Sequence, residues 1–310
     1  MTAPALVELS TEAGAGLGHT MVMGRHHLSQ LDLFTDDALS AVLDSYPEER
    51  LHILTMGLDP ERSADNERVE RGGASGAELL ESVRRGRLWL NITGIDEVDR
   101  RYRTLVDGLY EEVGRQAPGF SSVETHATLL VSSPGAMVYF HVDGPPSFLW
   151  HIRGRKRLWV YPALDETLVS RQHLEDVFAG VRQEYMPYQR SFDQYAQEFD
   201  LESGQVAMWP QNAPHRITNL DSLNVSLVTD HYTPQARKRA RTYRANRFLR
   251  SRLHVPGMWL STRDRGPLAT AKLAVQQAGR RLGMEAPTSK AHRPAVRRID
   301  PTAPDGLSAL

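Results

Sequence analysis

The stretch "YFHVDGPPSFLWHIRGRKRLWVYP", residues 139–162, places a His-x-Asp pair and a lysine within short apolar runs. Aromatic and β-branched residues separated by Gly and Pro predict strands joined by tight turns. Residues two positions apart in a strand point to the same face, so His141 and Asp143 would converge on one point. Lys156 follows on the next apolar run. The stretch therefore predicts a β-rich site that combines two candidate metal ligands with a buried cation.

Similar short runs surround this stretch between residues 121 and 234. They are "ETHATLLVSS", "AMVYFHVD", "SFLWHIRG", "KRLWVYP", "GQVAMWP", "HRITN" and "NVSLVTDHYT". Many short strands with turn residues between them are typical of a barrel or a sandwich. We therefore predict a mainly β protein with flanking helices, in which residues 121–234 form a barrel that carries a polar insert at about 165–200.

His215 supplies a third candidate ligand. It follows a proline-containing turn in "GQVAMWPQNAPHRITN", residues 204–219, and begins another predicted strand. Two histidines and one carboxylate on one side of an ion leave the opposite coordination positions open, as in non-haem Fe(II) oxygenases. His141, Asp143 and His215 are therefore the predicted metal ligands.

Together, these motifs resemble the JmjC-like branch of the cupin superfamily, a group of Fe(II)- and 2-oxoglutarate-dependent hydroxylases that includes the asparaginyl hydroxylase inhibiting hypoxia-inducible factor. The resemblance rests on the His141–Asp143 motif, on the Lys156-Arg157 pair after "SFLWHIRG" and on the second cupin motif at 204–219. It implies a double-stranded β-helix (jelly-roll) barrel with Fe(II) as cofactor and 2-oxoglutarate as co-substrate. It also implies that Lys156 binds the distal carboxylate of 2-oxoglutarate, since a buried ammonium needs a counter-charge.

The sequence departs from this family pattern at several positions. Val138 replaces a usual threonine, Asn212 a usual glycine and Gln205 a usual aspartate. The candidates for the missing hydrogen bonds to the co-substrate are Thr128, Tyr139, Asn224 and Ser226. The candidates for the substrate pocket are Ser147, Trp150, Trp209 and Arg216, the last also as a substitute for Lys156. His151 and His231 are interpreted as ordinary strand residues.

The implied activity is hydroxylation of an unactivated C–H bond. We expect the substrate to be an amino-acid side chain in a peptide or protein, or a small amino-acid-like metabolite. Two alternatives stay open: a non-redox metal cupin, such as an isomerase or a small-molecule-binding regulator, and a nucleic-acid-associated protein. Most non-redox cupins use a His-x-His start and a later Glu, so Asp143 and Lys156 favour the oxygenase.

The composition limits the function further. The 310 residues include no cysteine, which excludes disulfides, zinc fingers and thiol catalysis and fits a cytoplasmic protein. Neither an apolar run of about eighteen residues nor a signal-peptide pattern is found in the sequence. We therefore expect a soluble, unexported protein with no membrane span.

The net charge of −1 hides an asymmetry along the chain. Residues 235–310 carry 17 Lys and Arg against 4 Asp and Glu, and the preceding residues carry 20 against 34. We predict helix and strand elements at 1–120 that pack on the barrel, basic helices at 235–285 and a disordered tail at 286–310. The basic helices would pack within the chain or form a homodimer, although binding to RNA or ribosomes stays open.

Overall fold

Two sheets face each other at the centre of the protein, whose computed structural model describes residues 5–181, 186–284 and 294–310. The strands are β1 (Val7–Glu8), β2 (Val22–His26), β3 (Leu51–Thr55), β4 (Glu67–Glu70), β5 (Leu88–Thr93), β6 (Val123–Ser132), β7 (Met137–His141), β8 (Ser147–Arg153), β9 (Arg155–Val160), β10 (Gln197–Glu202), β11 (Gln205–Met208), β12 (His215–Asn219), β13 (Asn224–Tyr232), β14 (Arg297–Ile299) and β15 (Leu307–Ala309). The helices are α1 (Thr11–Gly16), α2 (Asp36–Ser45), α3 (Gly76–Arg85), α4 (Ile95–Val98), α5 (Arg100–Gln116), α6 (Arg171–Phe178), α7 (Pro234–Arg252) and α8 (Pro267–Arg281). Short 3-10 turns occur at Leu28–Gln30, Asp32–Phe34, Glu48–Arg50, Ser63–Asp65, Arg190–Tyr195 and Gly257–Trp259.

The eight strands β6 to β13 form the predicted barrel. The larger sheet has the order β1-β2-β11-β8-β13-β6-β5-β3-β4-β14-β15, and the smaller sheet has the order β10-β9-β12-β7. Each sheet thus receives four of the eight barrel strands, and the chain crosses repeatedly from one sheet to the other. This is the arrangement of a double-stranded β-helix, so the predicted fold class is confirmed.

The N-terminal elements extend the larger sheet and cover its outer face. Strands β5, β3 and β4 continue the sheet beyond β6, and β2 pairs with β11 at the other side. Helix α5 turns an apolar stripe inwards, formed by Tyr102, Leu105, Val106, Leu109, Tyr110 and Val113. Side chains on the outer face of β8, such as Trp150, pack into the same core. The N-terminal residues and the barrel therefore share one hydrophobic core.

The insert between β9 and β10 packs on the outer face of the smaller sheet. Its helix α6 begins after the N-cap Ser170, and its apolar side chains join Phe140 and Tyr161 in a second core. Strand β10 overlaps the end of the range expected for the insert. Its alternating Glu198, Asp200 and Glu202 belong to an edge strand. The sequence did not predict this barrel strand, because its charged residues resemble a polar loop, although edge strands are often charged.

The basic helix α7 packs against α6 and the barrel. Arg250 lies 2.8 Å from Glu175, and Arg247 pairs with Asp176. Arg237 lies 2.5 Å from Glu124 on the barrel side. Three arginines of this helix are therefore paired with acidic groups of the main domain, in the direction that the charge asymmetry suggests.

Helix α8 docks on α7 through a close contact and a polar contact. A Cβ atom built on Gly279 would lie 2.1 Å from the ring of Phe248. The Lys272 ammonium, which is buried, donates to Asn246 Oδ1 at 2.9 Å and to the carbonyl of Ser261. Only glycine allows the Phe248 ring to approach the helix this closely.

The predicted disorder of residues 286–310 is wrong for residues 294–310. Strand β14 pairs in parallel with β4, and β15 pairs with β14, so these residues form an edge of the larger sheet. Ile299 and Leu307 are buried there. The burial of these two side chains and the backbone pairing stabilise the strands, although a composition rich in Pro, Ala and Arg favours disorder. The rest of that prediction, residues 286–293, lies outside the described residues.

In the parts of the chain that the structure describes, no helix has the length and apolar character needed to cross a bilayer.

Candidate metal and co-substrate site

A cavity of about 200 Å³ lies between the two sheets of the barrel. It is lined by Trp89, Asn91, Thr93, Thr128, Leu130, Ser132, Ala136, Met137, Val138, His141, Asp143, Pro145, Leu149, Lys156, Trp209, His215, Ile217, Asn219, Val228 and Asp230. The three predicted metal ligands and the predicted co-substrate lysine all belong to this lining. Strands of both sheets therefore build one common site.

The structure brings His141, Asp143 and His215 together. His141 ends β7 and lies opposite His215, the first residue of β12. The Nε2 atom of His141 is 3.6 Å from Asp143 Oδ1, and the Nε2 atom of His215 is 3.5 Å from Asp143 Oδ2. One ligand atom from each residue lies within 4.8 Å of the other two. This spacing suits three ligands of a single ion.

Backbone carbonyls orient both imidazole rings. His141 Nδ1 is 2.7 Å from the Tyr139 carbonyl, and His215 Nδ1 is 3.1 Å from the Ala213 carbonyl. A carbonyl only accepts hydrogen bonds, so each Nδ1 carries the proton and each Nε2 keeps a lone pair. Burial lowers the pKa of His215 to about 3, with a further contribution from His141. His215 is therefore neutral over the physiological pH range, as a metal-binding imidazole must be.

The turn before His215 explains one departure from the family pattern. Asn212 has a φ of 65°, in the left-handed region, and its Nδ2 donates to the Asp143 carbonyl at 3.0 Å. Asparagine tolerates this conformation better than other non-glycine residues. Asn212 thus takes the conformation that a glycine would take and also holds the backbone of a metal-ligand candidate.

Lys156 reaches the cavity from β9. Its Nζ donates to Ser226 Oγ at 2.8 Å, and within the described residues no carboxylate lies within ion-pair distance of it. Burial lowers the pKa of Lys156 to about 7. A buried ammonium with only a hydroxyl as partner retains the capacity to bind an anion.

A second carboxylate lies beside Asp143. Ser147 Oγ is 2.6 Å from Asp230 Oδ1 and 3.5 Å from Asp143 Oδ2. Burial, together with the charge of Asp143, raises the pKa of Asp230 to about 7. Ser147, a predicted pocket residue, therefore bridges the ligand candidate and an acid that the sequence did not single out.

The other predicted co-substrate residues occupy different positions. Thr128 lines the cavity. Tyr139 lies outside the lining, where its hydroxyl accepts a hydrogen bond from the backbone N–H of Gly57 at 3.2 Å. Asn224 donates to the Ser222 carbonyl beside the β8–β9 turn. Ser226 lies behind the lining and contacts the cavity through Lys156.

Two of the four predicted pocket residues face away from the cavity. Trp150 alternates with Leu149 on β8, so its indole lies in the outer core and donates to Thr229 Oγ1 at 2.9 Å. Arg216 follows His215 on β12, and its guanidinium pairs with Asp193 at 2.6 Å over the ring of Trp159. The period of two in a strand places both on the wrong face for the pocket.

Trp209, a candidate for the substrate pocket, lies in the cavity wall. Its ring centroid is 4.3 Å from that of His215, at an interplanar angle of 44°. The indole therefore packs against a ligand candidate and restricts the orientations of its ring.

Several cavity residues were not predicted. Trp89, Asn91 and Thr93 alternate along β5 and form a row opposite β6. Asn91 Oδ1 is buried without a hydrogen-bond partner. The signal was present in "RLWLNIT", where polar residues recur on one face of an otherwise apolar strand. It was missed because β5 precedes the predicted barrel.

Comparisons with known proteins support the fold. No family model and no curated protein matches the sequence. Among solved structures, Escherichia coli YcfD has a TM-score of 0.51 at 13% identity, over 88% of this chain and 68% of that chain. A structure of YcfD described as a ribosomal oxygenase in complex with cobalt and 2-oxoglutarate has a TM-score of 0.47 at 12% identity, over 91% and 69%.

The strand order, the His-Asp-His cluster and the match to YcfD agree with one another. This chain therefore has a double-stranded β-helix fold, which it shares with E. coli YcfD.

Proposed function

We propose that the protein is an Fe(II)- and 2-oxoglutarate-dependent oxygenase that hydroxylates an unactivated C–H bond. One observation carries this proposal: an open-sided His-Asp-His cluster and a buried lysine without a carboxylate partner line the same cavity. The metal ligands would be His141, Asp143 and His215. Lys156 would bind the distal carboxylate of 2-oxoglutarate.

The residues present fit both groups. Two neutral imidazoles and a carboxylate suit Fe(II), and they occupy one side of the ion only. Among the described residues that line the cavity, Lys156 carries the only ammonium or guanidinium group. When bound, iron and 2-oxoglutarate together supply oxidative decarboxylation of the keto acid, coupled to hydroxylation of a substrate C–H bond.

The remaining cavity residues would position the reactants and exclude water. Trp209 packs on His215, and Asn212 holds the backbone of Asp143. Leu130, Leu149 and Val228 supply apolar walls, which strengthen the attraction between Lys156 and an anion by lowering the local dielectric constant. These side chains take part by orientation and exclusion, and none acts as a nucleophile.

We further propose an amino-acid side chain, in a protein or peptide or in a small metabolite, as the substrate. E. coli YcfD, whose fold this chain shares, is described as a ribosomal oxygenase. A polar row of Asn91, Thr93 and Thr128 along the cavity offers hydrogen-bonding groups to such a substrate. We also propose that residues 121–234 form the catalytic barrel. The proposed location of the protein is the cytoplasm.

The basic helices have an internal role in this proposal. Arg237, Arg247 and Arg250 pair with acids of the main domain, and Arg244 donates to the Phe178 carbonyl. These contacts leave less positive charge for nucleic acid than the sequence suggests. Binding to RNA without turnover of 2-oxoglutarate would contradict this part of the proposal.

A homodimer through α8 remains our proposal for the oligomeric state. Along one side of this helix and at its C-cap, the exposed apolar side chains include Leu268, Ala271, Val275, Ala278 and Leu282. Their spacing of three and four residues is that of a coiled-coil seam. Light scattering should show a dimer that Val275→Glu converts to a monomer, and a monomeric wild type would refute the dimer.

The test of the proposed activity is an anaerobic titration with Fe(II) and then 2-oxoglutarate. A chelated keto acid gives a weak visible charge-transfer band, which should appear in the wild type and be lost in His215→Ala. Succinate formation under oxygen would then allow substrates to be compared. Metal binding without any band would favour a non-redox cupin instead.

A further inference from the structure

His151 lies inside the barrel, behind the cavity and apart from the metal ligands. It belongs to β8, is fully buried and is absent from the cavity lining. Its ring nitrogens are 3.0 Å from the Gly154 carbonyl, for Nε2, and 3.1 Å from Ser226 Oγ, for Nδ1. Both nitrogens therefore have partners of defined chemistry.

These two partners fix the tautomer of His151. The Gly154 carbonyl only accepts, so Nε2 carries the proton, and in a neutral imidazole Nδ1 is then an acceptor. The Ser226 hydroxyl must consequently donate to Nδ1. Burial, followed by the charge of Lys156, lowers the pKa of His151 to about 2, which agrees with a neutral ring.

The direction of the Ser226 hydroxyl determines what it offers to Lys156. Because its hydrogen is used by His151, its lone pairs face the Lys156 ammonium, which donates to Ser226 Oγ at 2.8 Å. An ammonium has three N–H bonds. One is held by Ser226, and two remain for an anion in the cavity.

The backbone at His151 is also fixed. The His26 side chain donates from Nε2 to the His151 carbonyl at 3.0 Å, while its Nδ1 accepts from the Leu28 backbone at 3.1 Å. The backbone N–H of Gly204 donates to the same carbonyl at 2.8 Å. These hydrogen bonds therefore fix the backbone of β8 at the residue that carries the imidazole.

We propose that His151 is a positioning residue for the co-substrate: through Ser226 it aims the Lys156 ammonium at the distal carboxylate of 2-oxoglutarate. The inference rests on the proposed function and deepens it. It assigns Ser226 an indirect role in place of direct contact with the co-substrate. It also makes the hydrogen-bond relay responsible for the preference of the cavity for a dicarboxylic keto acid over a monocarboxylic one.

Two conservative variants separate the two ring nitrogens. An asparagine amide reaches the place of Nδ1, so His151→Asn keeps an acceptor for Ser226 and loses the bond to Gly154. A glutamine amide reaches the place of Nε2, so His151→Gln keeps the bond to Gly154 and loses the acceptor. Both leave the metal ligands and the cavity lining unchanged.

The measurement is the anaerobic dissociation constant of the Fe(II)-loaded protein for 2-oxoglutarate and for pyruvate, which lacks the distal carboxylate. His151→Gln should weaken 2-oxoglutarate about tenfold, the upper end for one lost hydrogen bond between neutral groups, and leave pyruvate unchanged. His151→Asn should stay within about threefold of wild type for both ligands. Denaturant unfolding of each variant, without metal, measures any structural cost.

Different failures have different meanings. If both variants weaken 2-oxoglutarate equally, or weaken pyruvate as much, His151 has a structural role only and the inference is wrong. If neither variant changes the affinity for 2-oxoglutarate, the relay does not aim Lys156. If the wild type binds Fe(II) but no 2-oxoglutarate, the proposed function fails first and the relay fails with it.

Discussion

Lys156 and Lys272 are both buried lysines, but their surroundings differ. Lys272 lies between α7 and α8 and donates to Asn246 Oδ1 and to the Ser261 carbonyl. Lys156 lies in the barrel and donates to Ser226 Oγ alone, beside a cavity. Burial lowers the pKa of both side chains. Oxygen atoms of the chain accept two hydrogen bonds from the Lys272 ammonium, whereas only one accepts a hydrogen bond from the Lys156 ammonium.

This difference in the number of oxygen partners distinguishes a structural lysine from a lysine that can bind an anion. Taking a charge out of water costs several kcal/mol unless polar partners replace the water. Oxygens of the chain compensate Lys272, so its role is to join two helices. In the proposed function, an anion completes the compensation of Lys156, and the His-Asp-His cluster in the same cavity is the proposed position of its other end.

The largest expected effect tests the proposed metal ligands. Asp143→Ala removes one of three ligands and should weaken binding of Fe(II) by more than about 100-fold, because even outer partners of metal ligands contribute about 10- to 100-fold. The charge-transfer band with 2-oxoglutarate should disappear. Asp200→Ala, which removes a carboxylate from the outer strand β10, is the matched control. Retained Fe(II) affinity in Asp143→Ala would show that the cluster is not the metal site.

The second prediction compares the two lysines directly. Lys156→Met should weaken 2-oxoglutarate about 100-fold, within the range for removing one partner of a buried charge pair, and should not destabilise the metal-free protein. Lys272→Met should leave that affinity unchanged and lower the free energy of unfolding by about 1–3 kcal/mol, since it orphans two buried acceptors. Calorimetric titration and urea unfolding measure the two quantities. Equal effects of both substitutions would abolish the distinction.

The third prediction concerns pH. The pKa of Lys156 is lowered to about 7, so above that pH the free protein must take up a proton before the ammonium can bind a dicarboxylate. The dissociation constant for 2-oxoglutarate should therefore rise by up to about tenfold per pH unit between about pH 7.5 and 9. Pyruvate, which does not reach Lys156, is the control ligand. A constant ratio of the two affinities across this range would contradict the assignment of Lys156.

The smallest effect concerns the packing around Lys272. Gly279→Ala places a methyl group 2.1 Å from the Phe248 ring and should destabilise the protein by about 1–3 kcal/mol, the usual cost of overpacking. Gly114→Ala adds a methyl group to α5, where no atom from outside the local helix backbone lies within 4 Å, and should be neutral or stabilising by up to about 1 kcal/mol. Neither should change the affinity for 2-oxoglutarate. Unfolding by urea distinguishes the two variants.

The sequence predicted the barrel and the ligand cluster because both depend on short-range patterns. A His-x-Asp pair in a strand fixes two side chains relative to each other, and the motif around His215 adds the third. The period of two also explains Lys156. Trp150 and Arg216, two candidates for the substrate pocket, each sit one position from an inward-facing neighbour, so their side chains lie outside the cavity.

Long-range features could not be predicted in the same way. Asn91 and Asp230 enter the cavity because β5 and β13 flank β6 in the larger sheet, and strand order is not visible in local patterns. The charged strand β10 pairs with β9 across the insert, and the tail strand β14 pairs with β4, so both depend on partners far along the chain. Composition alone therefore could not predict that these residues form strands.

The pairing of the tail with β4 has a consequence for biosynthesis. Arg297 pairs with Val69, about 230 positions earlier, so β4 remains an open edge while most of the protein is being made. Long sequence separation of this kind slows folding and prolongs the exposure of unpaired backbone. Glu67, Arg68 and Glu70 place charges on this strand, and charged edges discourage pairing with other chains. While the ribosome pauses before the tail emerges, the barrel strands of the nascent chain can therefore pair, and the β4 edge of the larger sheet is protected by its charges alone.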